Sequence, residues 1–253
     1  MGTVSKGCYM DDLNNASAVI TGASSGIGEQ AARLLAREGA NVVLAARRGE
    51  TLEAIANDIE DTHDVEGVAN PTDISQEAAC ESLIEETVER FGEIDILVNN
   101  AGVGLGADVA EMATEDYRTM MAVNTDGYFF TTRAALPHLS DEGHLIYVGS
   151  IAGEYPRPFN PVYAATKWWV RGFAKSVAAQ YGGDGIAVTV VNPSEVRSEF
   201  GSEDGPPFKD RFEPGAASEP ADVAESIVFA AKAGHTAPLE IGIYRRDKFA
   251  DTF

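Results

Sequence analysis

The most restrictive feature of this chain is a rhythm. Short apolar runs of strand length alternate with longer stretches of helical periodicity along nearly its whole length. SAVIT (17–21), NVVLAA (41–46), residues 65–69, IDILV (94–98), HLIYVG (144–149), IAVTVV (186–191) and LEIGI (239–243) read as strands. Between them the pattern predicts helices over 27–39, ending at a glycine, about 50–60, 75–91 with Ser75 as N-cap, 114–138 stopping near Pro137, 161–181 and 220–232. A strand followed by a helix and another strand forces a crossover, and crossovers build a parallel sheet covered on both faces. The expectation is one α/β domain: a doubly wound parallel sheet of about seven strands with helices on both faces. Two segments stand outside the rhythm. Residues 1–14 form an N-terminal extension. Residues 199–218 are rich in Gly, Pro and charge and read as a long substrate loop.

Composition excludes several classes. Forty Asp and Glu against 19 Lys and Arg give a net charge of −21. Nucleic acid and anionic membrane surfaces need a basic face, so neither is expected as a partner. Two cysteines, Cys8 and Cys80, are too few for a disulfide scaffold or a cysteine-rich zinc site. No apolar run is long enough to cross a bilayer. The N-terminus lacks the apolar core of a signal peptide, which points to the cytoplasm. The acid excess fits an ordinary acidic protein kept soluble by self-repulsion, or a halophilic chain suited to a salt-rich cytoplasm where screening relieves that repulsion. Few Lys and abundant Ala and Gly resemble proteins of salt-accumulating archaea.

The first strand runs into TGASSGIG, which sets Gly22, Gly26 and Gly28 ahead of a helix. Small residues let a backbone turn sharply and approach a pyrophosphate, and the helix N-terminus offers free N–H groups and a positive dipole end. The spacing is G-x-x-x-G-x-G rather than the commoner G-x-G-x-x-G. Its position on the first strand-to-helix turn favours dinucleotide binding over a plain glycine-rich turn, through Gly22, Ser24, Ser25, Gly26, Ile27 and Gly28. At the end of the second strand, NAD users of such folds place an acid for the ribose 2′-OH. Here Ala46 stands there, followed by Arg47 and Arg48. A guanidinium suits a 2′-phosphate by charge and by bidentate geometry, so NADP(H) is expected over NAD(H). The other reading of the two arginines is a solvated strand end.

Tyr163 and Lys167 stand four apart and share a helix face. A nearby ammonium favours the phenolate, so the pair fits a general acid and base. An amphipathic surface pair has the same spacing. Ser150 follows a strand directly, where its hydroxyl suits either a substrate carbonyl or a turn cap. Asn124 lies inside a predicted helix, where Asn is a misfit that suggests a functional kink or a held water. Asn99, in NNAG, fits ordinary turn chemistry as well as a site.

Together these motifs, in order and spacing over about residues 14–243, resemble the short-chain dehydrogenase/reductase family in its short single-domain branch, a Rossmann-type fold. NPSEVRS (192–198) resembles its Asn-Pro-Gly-x-Val-x-Thr segment, with Ser194 replacing Gly and Ser198 replacing Thr. The resemblance implies that Tyr163 is the acid in reduction and the base in oxidation. Lys167 would hold the nicotinamide ribose and depress the Tyr163 pKa, Ser150 would orient the substrate oxygen, and Asn124 would hold a relay water. Asp73 and Asn99 would contact the adenine and its ribose. Ala101 and Gly102 belong to the same nucleotide wall. Pro193 and Val196 would flank the nicotinamide, and Ser198 would keep a cofactor contact. The implied reaction interconverts a small alcohol and carbonyl by direct hydride transfer, so the resemblance implies no metal.

Candidate substrate walls are Gly104, Leu105, Glu154, Tyr155, Pro156, Phe200, Phe208 and Phe212. The three Phe suggest a hydrophobic lid, although ordinary packing explains them equally well. The fragment 150–167 loosely resembles relatives acting on short hydroxy acids and small carbonyls. One of Trp168 and Trp169 is expected in the core and the other at a subunit contact, because family members pair through this helix as homodimers or homotetramers. Two other readings stand: an NAD-dependent dehydrogenase of a sugar or hydroxy acid, and a non-catalytic dinucleotide sensor.

Overall fold

A computed structural model describes residues 13–201 and 206–248. Cys8 and most of the N-terminal extension lie outside them. Seven parallel strands form one sheet: β1 (Ser17–Thr21), β2 (Asn41–Ala46), β3 (Gly67–Pro71), β4 (Ile94–Asn99), β5 (Leu139–Val148), β6 (Ala187–Pro193) and β7 (Glu240–Ile243). Their order is β3-β2-β1-β4-β5-β6-β7. Strand side chains alternate between faces. Ala18 and Ile20 of β1 therefore meet one helical layer while Val19 meets the other.

The first layer is α1 (Gly26–Arg37), α2 (Gly49–Thr62) and, after the later elements below, a C-terminal helix. Leu35, Leu52, Ile55 and Ile59 fill it. The opposite layer begins with α3 (Glu77–Phe91), which contributes Leu83 and Ile84. The predicted helix over 114–138 is broken. It is α4 (Thr114–Met121), a π-helical turn (Ala122–Asp126), α5 (Gly127–Ala135) and a 3-10 turn containing Pro137. Next come α6 (Pro161–Tyr181), the short α7 (Phe208–Arg211) and α8 (Pro220–Ala231), which packs beside α1.

Four further local expectations are corrected. Ser75 does not cap α3. Gln76 occupies that place, and Ser75 donates from its N–H and hydroxyl to Asp73 Oδ1 at 3.0 and 2.8 Å. The third strand lies two residues later than read, and β5 starts five residues earlier. The 199–218 segment is not wholly irregular, since it holds α7. Its excursion is closed by an isolated parallel bridge between Val196 and Ser218. Arg197 holds it from inside, donating to the carbonyls of Phe212 and Lys209 and to Glu219.

The strand order reverses direction between β1 and β4. Open α/β sheets bind ligands beyond the carboxyl ends of the strands at such a switch point.

Candidate active site

The residues after every strand from β1 to β6 meet around one cavity of about 590 Å3. After β1, Gly22 and Gly26 have φ of +68° and +58°, in the left-handed region. A Cβ on Gly22 would lie 2.8 Å from Ala101 Cα, and one on Gly28 only 2.4 Å from the Gly22 carbonyl oxygen. The three glycines thus have separate jobs: two make the turn, and Gly28 lets α1 pack on it. The Ser25 side chain makes no cap bond, so the first N–H groups of α1 keep no side-chain partner. Asn100 ties the turn to β4, donating from Nδ2 to the Thr21 carbonyl at 2.8 Å. Thr21 Oγ1 accepts from the N–H groups of Asn100 and Ala101.

The two arginines after β2 differ. Arg48 donates to Ser24 Oγ and O, both at 3.1 Å, and to Ser25 Oγ at 2.8 Å, so it braces the glycine turn. Arg47 lines the cavity and makes no hydrogen bond or ion pair among the described residues. Asp73, Ile27, Ala101 and Gly102 also line the cavity.

At the other end, Ser150 Oγ accepts from Ala152 N at 3.1 Å and caps the 3-10 turn Ile151–Gly153. The cap and the site are therefore the same residue. The Ser150 N–H is held by Asn192 Oδ1 at 3.2 Å, and a Cβ on Gly149 would collide with that oxygen. Tyr163 and Lys167 share a face of α6 and both line the cavity. Lys167 Nζ donates to the Val148 carbonyl at 2.9 Å and lies 5.8 Å from the Tyr163 ring centroid. Burial lowers its pKa to about 8. Burial raises the Tyr163 phenol to about 12; the Ser150 hydroxyl and the Arg157 charge pull it partly back. The downward pull thus comes from Ser150 and Arg157, where Lys167 was expected to supply it.

Asn124 sits fully buried in the π-helical turn. Its Oδ1 accepts from Val103 N at 2.9 Å, and its Nδ2 donates to Val103 O at 2.8 Å and Thr166 Oγ1 at 3.1 Å. It clamps the segment after β4 to α6.

After β6, Pro193, Ser194, Val196 and Ser198 line the cavity. The Ser194 hydroxyl is buried with no partner among the described residues. Phe200 stands over Tyr163 with ring centroids 5.6 Å apart, and Phe208 follows it at 5.9 Å; both are in the wall. Phe212 meets Phe208 edge to face from behind and stays out of the wall.

Some expected positions lie elsewhere. Asn99 points away from the cavity, fully buried against α5, where Thr131 donates to its Oδ1 and it donates to Thr132. Strand alternation turns Asn99 to one face and leaves Asn100 at the site. Tyr155 is 43% exposed and outside the cavity wall, as are Leu105, Glu154 and Pro156. Trp169 stacks on Phe173 at 4.7 Å, while Trp168 is exposed. The sequence marks Asn100 only as strand-end turn chemistry and Asn192 only as the first residue of NPSEVRS (192–198), and it does not single out Arg157. The position of Asn192 at the end of a strand was the signal for it; Arg157 had none beyond its place after Ser150.

The uncapped helix end, the glycines that admit no Cβ, the unpaired Arg47 and the unpartnered Ser194 hydroxyl fit a dinucleotide. Comparison with known proteins agrees. Residues 16–206 match the short chain dehydrogenase family. A meso-2,3-butanediol dehydrogenase of Serratia marcescens is 34% identical over 224 residues, covering 87% of this chain and 88% of its own. An alcohol dehydrogenase from the archaeon Thermococcus sibiricus, complexed with 5-hydroxy-NADP, superposes with a TM-score of 0.84 at 29% identity, over 91% of this chain and 97% of that one. A 3-ketoacyl-(acyl-carrier-protein) reductase from Brucella melitensis, complexed with NADH, gives 0.81 at 30% identity, over 92% and 98%. Fold and relatives define a dinucleotide-dependent oxidoreductase on a Rossmann sheet. The chain belongs to the short-chain dehydrogenase family.

Proposed function

We propose that this chain is an NADP(H)-dependent oxidoreductase that interconverts a small alcohol and its carbonyl by direct hydride transfer, with Tyr163 as the acid and base. The observation that carries the reading is the convergence of Ser150, Tyr163 and Lys167 at one end of a cavity whose other end is the glycine turn. When bound, the dinucleotide supplies the hydride in reduction and accepts it in oxidation. Ser150 orients the substrate oxygen, and Tyr163 gives its proton to that oxygen in reduction or removes it in oxidation. A phenol with a pKa pushed up to about 12 holds its proton at neutral pH, which suits the acid role. Lys167 holds the ribose and refills Tyr163 through a water near Asn124. Phe200 and Phe208 exclude solvent over the reacting atoms. Asp73 and the Val196 amide, which the bridge to Ser218 leaves unspent, complete the cofactor contacts.

Arg47 supports the phosphate-bearing cofactor, because its free guanidinium stands where a 2′-phosphate is read. The alcohol dehydrogenase of Thermococcus sibiricus, complexed with 5-hydroxy-NADP, supports the same choice. We place the enzyme in the cytoplasm, as a homodimer or homotetramer pairing through the α5 and α6 surface that carries exposed Phe129 and Trp168. The cofactor assignment is tested by kcat/KM for NADPH and NADH with one carbonyl substrate. Wild type should favour NADPH by roughly tenfold or more, and Arg47→Asp should reverse the preference. Arg48→Ala should weaken both cofactors together, because Arg48 braces the turn they share. A ratio unmoved by Arg47→Asp would contradict the assignment.

A further inference from the structure

The charges in the cavity wall leave two cations unspent. Glu199 is paired with Arg48 and Lys209, and Glu195 Oε1 accepts from Lys248 while its Oε2 is buried without a hydrogen-bond partner among the described residues. Asp73 is occupied by Ser75, and Lys167 by the Val148 carbonyl. Arg47 and Arg157 remain, each lining the cavity with a guanidinium that makes no hydrogen bond or ion pair among the described residues. In a chain with 40 acids and 19 bases, a guanidinium with no ion pair at bonding distance is unexpected. Arg47 lies at the nucleotide end. Arg157 lies at the reacting end, seven residues after Ser150 and six before Tyr163.

The place of Arg157 is defined. It is half-buried, and its guanidinium lies 5.8 Å from the Phe159 ring centroid, against another residue of the same wall. Glu195 lies within its field, yet the bonding of Glu195 is to Lys248. The phosphates of a dinucleotide belong to the turn after β1, on a different strand from the one that presents Arg157. A planar, permanently charged fork with its donors free matches a carboxylate in two parallel bonds.

We propose that Arg157 anchors a carboxylate of the substrate, so that the reaction couple is an oxo acid and its hydroxy acid. This rests on the oxidoreductase reading above and narrows it. In reduction, the two electrons of the hydride enter the carbonyl carbon and the proton of Tyr163 Oη goes to the carbonyl oxygen. The carboxylate keeps its charge throughout and acts only as a handle. The charge of Arg157 also pulls the Tyr163 phenol down, which couples the anchor to the acid it stands beside.

The test uses 2-, 3- and 4-oxopentanoate and their methyl esters, which walk one carboxylate along a constant chain and then erase its charge. Steady-state kcat/KM is measured for all six with NADPH and with NADH, in wild type, Arg157→Gln and Arg157→Lys. At least one acid should exceed its own ester by roughly tenfold or more in wild type. Arg157→Gln should lower that acid-to-ester ratio by roughly 10- to 100-fold, chiefly through KM, and Arg157→Lys should restore part of it. Esters turned over as well as acids, with a ratio unmoved in Arg157→Gln, overturn the anchor and leave the oxidoreductase reading standing. No turnover of any acid or ester with either cofactor overturns both.

Discussion

Tyr163 and His144 show how burial sets chemistry at single residues. Tyr163 stays protonated because its charged form is desolvated. His144, inside the sheet, is held neutral by the same cause, with its pKa lowered to about 4. Thr189 donates its own proton to the Pro238 carbonyl, so it accepts from His144 Nε2 at 2.9 Å. The other ring nitrogen, Nδ1, is buried with no partner among the described residues. The folded pKa lies below the ordinary value of about 6.5. The stabilising effect is therefore full above that value and is lost as pH falls towards 4, because only the unfolded chain takes up the proton. Urea unfolding should show wild type losing about 3 kcal/mol more than His144→Gln between these two pH values. Parallel losses in the two proteins would contradict this. Residue identities at the site were legible where chemistry leaves a pattern: a glycine triple, a Tyr–Lys spacing, a Ser after a strand. The bond from Ser150 N–H to Asn192 was not, because it joins residues 42 apart, and Arg157 was not, because no local pattern marks a cavity wall. The choice between Asn99 and Asn100 needed the strand's facing, which two adjacent asparagines do not reveal.

At the scale of elements, the break in the predicted 114–138 helix is the informative departure. Periodicity sees an apolar stripe and cannot register one extra residue in a turn. The single misfit, Asn124, marked the place. Its amide satisfies both backbone groups of Val103 and meets Thr166, which a regular helix lacking Asn124 would leave open. Asn124→Leu keeps the volume and removes those bonds inside a buried site. It should cost about 2–4 kcal/mol in urea unfolding and lower kcat more than the loss of folded protein accounts for. Unchanged stability would show that the π-helical turn holds without the amide. The loop after β6 was legible as a loop but not in its closure, since neither the Val196–Ser218 bridge nor the inward Arg197 has a local signature.

For the whole molecule, alternation alone was enough for the parallel sheet, because crossovers admit few topologies. The order placing β1 beside β4 then puts six strand ends around one cavity. The charge of −21 is a second whole-molecule property. Among the described residues many carboxylates face solvent without a cation, so screening by salt should favour the compact state. The most direct test of the account joins these levels. NADPH oxidation by a panel of small ketones, aldehydes and oxo acids would be followed at low and at molar KCl, for wild type and for Tyr163→Phe shown by circular dichroism to be folded. The account predicts turnover by wild type, faster and longer-lived in molar KCl, and loss of about 1,000-fold or more in Tyr163→Phe, where the proton donor is gone. Turnover surviving in folded Tyr163→Phe would contradict the role assigned to this cavity.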